Sequence, residues 1–136
     1  MANTFQLQVV DPERSLVDEK VEEAQIPARD GYIGVLPGHA PLMSELMDGG
    51  MMTYMSGGTE KVIALFGGFV EVLPDRVRVL ADRGAKQADI DAKTAQQELA
   101  AALKAIENMH GEADPAVALA EMQRAQAKVD AVERRK

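Results

Sequence analysis

The composition of the chain changes abruptly near Gly84, and this change constrains the fold more than any other feature of the sequence. Ten of the 11 glycines, five of the six prolines and all five aromatic residues lie at or before this residue. Fifteen alanines follow it, with one glycine and one proline among them. Glycine and proline are typical of turns between strands, whereas alanine is the strongest helix former. The sequence therefore predicts a β part followed by an α part.

The first part shows the period-two alternation of half-buried strands. The alternating apolar positions are Phe5, Leu7 and Val9, then Val70 and Val72, then Val77 and Val79. The pair Gly57-Gly58 is suited to a tight hairpin that needs positive φ. Another pair, Gly67-Gly68, predicts a bulge or a close packing point. Turn signals at this spacing predict about eight to ten strands in an antiparallel sandwich or barrel.

The second part contains two apolar stripes with the three- and four-residue spacing of helices. The first starts near Asp89 and comprises Ala92, Ala95, Leu99, Leu103 and Ile106; the second comprises Ala118, Met122, Ala125, Val129 and Val132. His110-Gly111 is predicted to end the first helix, with Gly111 in the left-handed C′ position. Asp114-Pro115 supplies an N-cap followed by proline at the first helical position. The short connection predicts an antiparallel helical hairpin.

The seam of this hairpin is lined mainly by alanine, which buries little apolar surface. At about 25 cal/mol per Å², such a seam contributes only a few kcal/mol before conformational entropy is subtracted. We expect each helix to form readily but to pack only weakly against any one partner. Hydrogen exchange as slow in the hairpin as in the β part would contradict this expectation. The predicted domains are 1–86 for the sandwich and 87–136 for the hairpin.

Charge and cysteine content exclude several classes of function. The net charge is −7, with 22 acidic and 15 basic residues, which opposes binding to nucleic acid or anionic lipid. No cysteine is present, so disulfides, thiolate metal sites and cysteine nucleophiles are excluded. The most apolar window, residues 62–73, contains Glu71 and is too short to span a membrane. We expect no secretory signal in residues 1–4, and the short apolar window predicts membrane association only through a protein partner.

Residues for metal or nucleophilic catalysis are sparse. The two histidines, His39 and His110, form no H-x-x-H or H-E-x-x-H motif, and no metal site is predicted. The serines lack a G-x-S-x-G elbow, and residues 57–61 lack the spacing of a phosphate loop. One enzymatic hypothesis stays open, in which His39 acts with a nearby acid such as Asp48.

The segment around His39 also has a purely structural interpretation. Pro37-Gly38 fits the centre of a tight turn, and Pro41 keeps Ala40 extended. His39 would then lie at the tip of a rigid turn, with Tyr32 nearby.

Two charged segments have alternative interpretations. The acidic run at residues 17–23 is interpreted as the solvated face and edge of strands, where charge discourages edge-to-edge pairing, rather than as a patch that binds a cation or a partner. The basic residues near the C-terminus either complement the helix dipole or contact an acidic partner, and the sequence favours neither. These residues are Arg124, Lys128, Arg134, Arg135 and Lys136.

A set of motifs in fixed order resembles the epsilon subunits of bacterial F-type ATP synthases. The motifs are GYIGVLPGHAPL at 31–42, GGFVEV at 67–72, VRVLAD at 77–82, and HGEADP at 110–115 in the bend of the hairpin. The resemblance extends from Phe5 to the last helix. It implies a β-sandwich of about ten strands followed by a C-terminal two-helix hairpin.

The resemblance also implies a non-catalytic rotor subunit without a cofactor. Such subunits lie at the foot of the gamma shaft and contact the c-ring on the cytoplasmic face of the bacterial plasma membrane, where they help couple proton flow to ATP synthesis. In some members the hairpin extends toward the alpha and beta subunits and restrains ATP hydrolysis. On this basis the candidate rotor contacts are Tyr32, Gly38, His39 and Pro41, and the candidate regulatory contacts are Arg124, Lys128, Arg134 and Arg135.

Two positions depart from the family pattern. Members whose hairpin binds ATP resemble Ile/Leu-Asp-x-x-Arg-Ala at the first helix, where this chain has Ile90, Asp91, Ala92, Lys93, Thr94 and Ala95. Thr94 replaces the arginine whose guanidinium would bind phosphate, so we expect weak or absent ATP binding. Tyr32 replaces an acidic residue that contacts the polar loop of the c-ring in some relatives, which removes an ion pair there.

The alternative to a rotor subunit is a free-standing β-sandwich adaptor whose helical hairpin binds another protein. Copurification distinguishes the two, because only a rotor subunit brings the gamma, alpha and beta subunits with it.

Overall fold

The computed structural model describes residues 3–111 and 113–134 of the chain. In this part of the chain, ten β-strands precede two α-helices. The strands are β1 (Phe5–Val10), β2 (Ser15–Val21), β3 (Glu23–Ala28), β4 (Gly31–Val35), β5 (Leu42–Glu45), β6 (Gly50–Ser56), β7 (Thr59–Leu65), β8 (Gly68–Leu73), β9 (Arg76–Ala81) and β10 (Gly84–Lys86). A 3₁₀ turn at Gln87–Asp89 leads to α1 (Ala92–Glu107) and α2 (Pro115–Glu133).

The strands form a sandwich of two five-stranded sheets, which confirms the predicted fold class. The first sheet has the order β2-β1-β9-β8-β5, and the second has the order β10-β7-β6-β3-β4. Neighbouring strands are antiparallel except for β1 and β9, which run parallel with Leu7 opposite Val77. Residues 17–21 of the acidic run lie in β2, an edge strand of the first sheet as interpreted, whereas Glu23 begins β3, which is an interior strand of the second sheet.

The core lies between the two sheets and is built from the inward positions of alternating strands. Leu7 and Val9 of β1 face Val77 and Val79 of β9 in register, and all four are fully buried. The second sheet contributes Ile63, among others, to the same cluster. A buried aliphatic side chain contributes roughly 1.5–3 kcal/mol, so the alternating inward positions stabilise the sandwich.

Both glycine pairs lie where the sequence predicts. Gly57 and Gly58 have φ of 59° and 78° and form the hairpin between β6 and β7. Gly68 has φ of 120°, and a Cβ atom there would lie 2.1 Å from the carbonyl oxygen of Leu80. The second pair is therefore a close packing point between β8 and β9. A side chain at Gly68 would separate these two strands.

The ends of the first helix differ from the prediction. Residues 87–89 form a 3₁₀ turn and α1 begins at Ala92, after Asp91 as N-cap. The helix ends at Glu107, because the chain leaves helical geometry at Asn108 and Met109 bonds back to Ile106 in a tighter turn. Gly111 has φ of 64° but lies in the connection, so its predicted C′ role is wrong.

The start of the second helix agrees with the prediction. The carboxylate of Asp114 accepts a hydrogen bond from the backbone N–H of Ala116 at 2.9 Å, and Pro115 occupies the first turn.

The hairpin lies against the outer face of the second sheet. Val62, Ala64 and Phe66 project outward from this sheet and pack beneath Ala127 and Ala131 of α2. The side-chain amide of Gln87 donates a hydrogen bond to the carbonyl of Ala131 at 2.7 Å. The chain therefore has its hairpin docked on the sandwich.

The seam between the two helices is built from alanines, as predicted, although Ala95 is the one fully buried member of the first stripe; Ala92, Leu99 and Ile106 are half-buried. Ala95 and Ala102 are the buried residues of α1, whereas Leu103 is 47% exposed. Leu103 points to solvent, since α1 packs mainly on α2 and Leu103 lies outside the cluster between the hairpin and the sandwich.

Candidate docking surfaces

The two outer faces of the sandwich differ in what covers them. The second sheet is covered by the hairpin, whereas large apolar side chains of the first sheet are open to solvent. Met43 of β5, Phe69 of β8 and Leu80 of β9 are 69%, 52% and 56% exposed. Together with Val10 of β1 they line a shallow groove of about 340 Å³, which we call the apolar patch.

Polar residues border the apolar patch on the same face. Gln8, Glu71 and Arg78 line the polar side of the groove, and Arg78 Nε donates to the side-chain oxygen of Gln8 at 3.4 Å. Glu71 and Arg78 are also direct cross-strand neighbours. An apolar centre with a polar rim is typical of a protein interface, and such a patch on a monomer usually marks one.

Sequence reasoning missed this patch, although a signal for it exists. Phe69 and Leu80 each stand next to a buried valine, Val70 and Val79, so β8 and β9 are apolar on both faces at this point. The two outward residues are paired across the strands, which joins them into one surface.

The candidate rotor contacts do not form one cluster. Gly38, His39 and Pro41 lie together in the connection between β4 and β5, residues 36–41, which we call the tip loop. Tyr32 is near the other end of β4. At about 3.3 Å per residue, the four residues from Tyr32 to Leu36 span about 13 Å. The expectation that Tyr32 is near His39 is therefore wrong, because the length of β4 separates them.

The tip loop is held rigidly. His39 N–H bonds the carbonyl of Leu36 at 3.2 Å, and Gly38 has φ of 87°, so Pro37-Gly38 is the centre of a tight turn as predicted. Gly38 N–H also donates to the carbonyl of Pro74 at 2.8 Å, which ties the loop to the first sheet. The ring nitrogen Nδ1 of His39 is 2.6 Å from the carbonyl of Ala40 and acts as the donor there.

Tyr32 lies on the same outer face as the hairpin. Its hydroxyl accepts a hydrogen bond from the backbone N–H of Met51 at 3.2 Å, across the intervening strand β3. The side chain is 52% exposed, which leaves half of the ring available to a partner.

The structure does not assemble a dyad of His39 and Asp48. His39 precedes β5 and Asp48 follows it, so the strand Leu42–Glu45 lies between them. A four-residue strand spans about 13 Å, far beyond hydrogen-bond reach. Within the described residues, no group of three or more metal-ligating side chains is present.

The basic candidates of the hairpin are used in different ways. Arg134 forms a two-point ion pair with Glu60 of β7, at 2.7 and 3.0 Å, and this contact holds the pKa of Glu60 below its ordinary value. Lys128 bonds Glu98 of α1 at 2.9 Å, and its ammonium lies 5.7 Å from the centre of the Phe66 ring.

Arg124 borders a groove of about 360 Å³ between the hairpin and the sandwich. The fourth basic candidate, Arg135, lies outside the described residues.

The residues in the positions of the ATP motif serve local structure. Thr94 donates a hydrogen bond to the carboxylate of Asp91 at 2.6 Å, which lowers the pKa of Asp91. Ile90 and Ala95 are buried in the cluster between hairpin and sandwich. Ile90 and Ala95 thus serve packing, and Asp91 and Thr94 bond each other at the start of the helix.

Comparison with known proteins identifies the family. Residues 4–87 match the family described as ATP synthase, Delta/Epsilon chain, beta-sandwich domain. The chain belongs to this family. This finding confirms the resemblance drawn from the motifs at 31–42 and 67–72, and with it the expectation of a non-catalytic subunit. Among the described residues, no helix is long and apolar enough to cross a membrane.

Curated relatives of similar length carry the same assignment. The ATP synthase epsilon chain of Solibacter usitatus (strain Ellin6076) is 47% identical over 129 residues, covering 95% of this chain and 96% of that protein. The ATP synthase epsilon chain of Koribacter versatilis (strain Ellin345) is 44% identical over 97 residues, covering 71% of this chain and 68% of that protein.

Solved structures share the fold at low sequence identity. A chain of the Euglena gracilis mitochondrial ATP synthase (OSCP/F1/c-ring, rotational state 1) has a TM-score of 0.76 and 20% identity, over 99% of this chain and 82% of that one. A chain of the Tetrahymena thermophila mitochondrial ATP synthase (central stalk/c-ring) has a TM-score of 0.59 and 8% identity, over 96% and 95%.

Proposed function

We propose that this chain is the rotor subunit at the foot of the gamma shaft, where it links gamma to the c-ring and couples proton flow to ATP synthesis. Its contribution is mechanical, because a rotating stalk transmits torque only through interfaces that do not slip. The observation that carries the proposal is the apolar patch, since it is the uncovered apolar part of a sandwich whose other face already holds the hairpin.

The apolar patch is the proposed contact with gamma. Met43, Phe69 and Leu80 project from three neighbouring strands, so a helix or strand of gamma can cover them together. The tip loop and Tyr32 are proposed to contact the c-ring at two separate points rather than as one cluster. His39 and Pro41 would supply a rigid surface at one point, and the exposed half of the Tyr32 ring would supply packing at the other.

The hairpin is the proposed regulatory element. Arg124, Lys128, Arg134 and Arg135 are the candidate contacts with the alpha and beta subunits. In the docked hairpin, Glu98 and Glu60 already engage Lys128 and Arg134. Extension toward alpha and beta therefore has to break the Glu60 pair first, which makes docking and inhibition mutually exclusive.

Copurification tests the central proposal. A tagged chain expressed at native level should bring down gamma, alpha, beta and the c-ring from solubilised membranes. The control variant Leu103→Ser should bring down the same subunits, because Leu103 is exposed on the hairpin and lies away from the apolar patch. Recovery of the tagged chain with other proteins and without gamma would contradict the rotor function and favour the adaptor.

The regulatory role has its own test. Removing residues after about Ala88 and reconstituting the complex should raise ATP hydrolysis while the rate of ATP synthesis holds. The deletion uncovers Val62, Ala64 and Phe66, so unchanged affinity for gamma is the control for an intact sandwich. Unchanged hydrolysis would contradict a braking role for the hairpin.

The proposed location is the cytoplasmic face of the bacterial plasma membrane, reached through the complex. Protease added to inverted membrane vesicles should cleave the chain, whereas protease added to sealed right-side-out vesicles should not. The reverse result would contradict this location.

A further inference from the structure

Gly49, in the connection between β5 and β6, lies directly against the backbone of α2. A Cβ atom at this residue would lie 2.5 Å from the carbonyl carbon and oxygen of Gln123, and 2.6 Å from the amide nitrogen of Arg124. Outside its own residue and the two adjoining ones, a Cβ atom essentially never comes within 3.0 Å of another heavy atom. Because the atoms contacted are helix backbone, no side-chain rotation relieves the overlap.

The backbone conformation of Gly49 does not itself require glycine. The glycines with positive φ are Gly31, Gly38, Gly57, Gly58, Gly67, Gly68 and Gly111, and Gly49 is not among them. An L-residue can therefore adopt the backbone angles of this position without strain. The space occupied by α2 is what excludes a side chain here.

The contact lies at one end of the interface between α2 and the sandwich. Gln123 and Arg134 are eleven residues apart, about 16 Å along the helix, so the Gly49 contact and the Glu60 ion pair hold α2 at two distant points. Between them, Ala127 and Ala131 pack on the second sheet. Alanine side chains are too short to fill a gap between the helix and the sheet. A gap of 0.5–1 Å removes roughly a quarter to a half of the dispersion attraction between the facing atoms.

We propose that Gly49 is the packing contact on which α2 docks, and that the absence of a side chain at this residue sets the ratio of docked to undocked hairpin. A Cβ atom pushes the helix off the sheet and separates its alanines from the outward face of β6 and β7. The core between the two sheets contains no residue of the hairpin, so the hairpin leaves as a unit while the sandwich stays folded. Docking of α2 on Gly49 is a property of the chain by itself and does not require its function in a rotary complex.

Measuring the distance between the sandwich and the hairpin in the full-length chain tests directly whether Gly49 controls docking. The chain has no cysteine, so spin labels can be attached at Arg76→Cys on β9 and Gln97→Cys on α1, both exposed. Pulsed electron resonance then resolves docked and undocked populations. Overpacking of a well-packed contact predicts that Gly49→Ala raises the undocked-to-docked ratio about tenfold, and Gly49→Val raises it further.

Hydrogen exchange in the same variants separates the hairpin from the sandwich. Amides of α2 should exchange about tenfold faster in Gly49→Ala, while amides of β1 and β9 keep their protection.

The matched control is Gly34→Ala, since Gly34 also lacks positive φ. Its Cβ atom would meet only the flexible side chain of Gln25, at 3.3 Å, so the variant should behave as the unaltered chain. An unchanged distance distribution in Gly49→Ala would overturn the proposal. Loss of protection in β1 and β9 equal to that in α2 would also overturn it, because the sandwich itself would then require the glycine.

Discussion

Replacing Phe69 by serine measures how strongly the apolar patch binds gamma. Phe69 is 52% exposed and projects away from the core, so the substitution leaves the buried Val70 and Val72 in place. A phenylalanine presents roughly 200 Å², and docking would bury the exposed half, about 100 Å². At about 25 cal/mol per Å² this is about 2.5 kcal/mol. We therefore expect the dissociation constant for gamma to rise about 60-fold.

Calorimetric titration with purified gamma subunit is the assay. Leu103→Ser is the matched control, because Leu103 is similarly exposed, at 47%, but lies on the outer side of α1. This control should bind gamma with unchanged affinity, and both variants should unfold within a few degrees of the unaltered chain. An affinity of Phe69→Ser within about twofold of the unaltered chain would refute the assignment of the patch. Equal weakening by Leu103→Ser would refute its specificity.

Three further predictions follow from the core, the ion pair and the helix start. Leu65→Ala removes a fully buried side chain and should lower the free energy of unfolding in urea by about 2–5 kcal/mol; a loss below about 1 kcal/mol would contradict the two-sheet core. The pKa of Glu60 is lowered from 4.5 in the docked chain, so its contribution to docking is complete above about pH 5 and is lost as pH falls through the folded value; the protection factors of α2 amides, which correct exchange for its intrinsic pH dependence, should fall on acidification, and less so in Glu60→Gln. The chain should bind ATP weakly or not at all, and Thr94→Arg should strengthen binding; a low-micromolar affinity of the unaltered chain in equilibrium dialysis would contradict this.

Most of the architecture could be predicted because local sequence patterns determine where the strands and helices begin and which faces they bury. Alternation at residues 5–9 and 77–79 identifies half-buried strands, and their side chains meet in the core whichever sheet they join. The start of α2 is encoded by Asp114-Pro115, since the carboxylate caps the helix within two residues. The predicted end of α1 was wrong because the helix ends at Glu107, before Gly111. In sequence, a glycine in the connection cannot be distinguished from a C′ glycine.

The surfaces were less predictable, because they join residues distant in the chain. The apolar patch brings Val10, Met43, Phe69 and Leu80 together only through the pairing of β5 with β8 and of β9 with β1. Tyr32 and His39 are close in sequence, yet an extended strand separates them in space. Nearness in sequence predicts nearness in space for a turn or a helix, but an extended strand separates its ends by about 3.3 Å per residue.

The sequence by itself determined the division into a glycine-rich β part and an alanine-rich α part, the hairpin turns, and the family to which the chain belongs. These depend on local backbone preference and on motif order, which a linear chain displays directly. Only the tertiary structure decided which outer face the hairpin covers and which face stays apolar and open. It also decided that α2 leaves no space for a side chain at residue 49. Those features depend on surfaces that exist only after the two sheets have packed and α2 has come within van der Waals contact of the loop before β6.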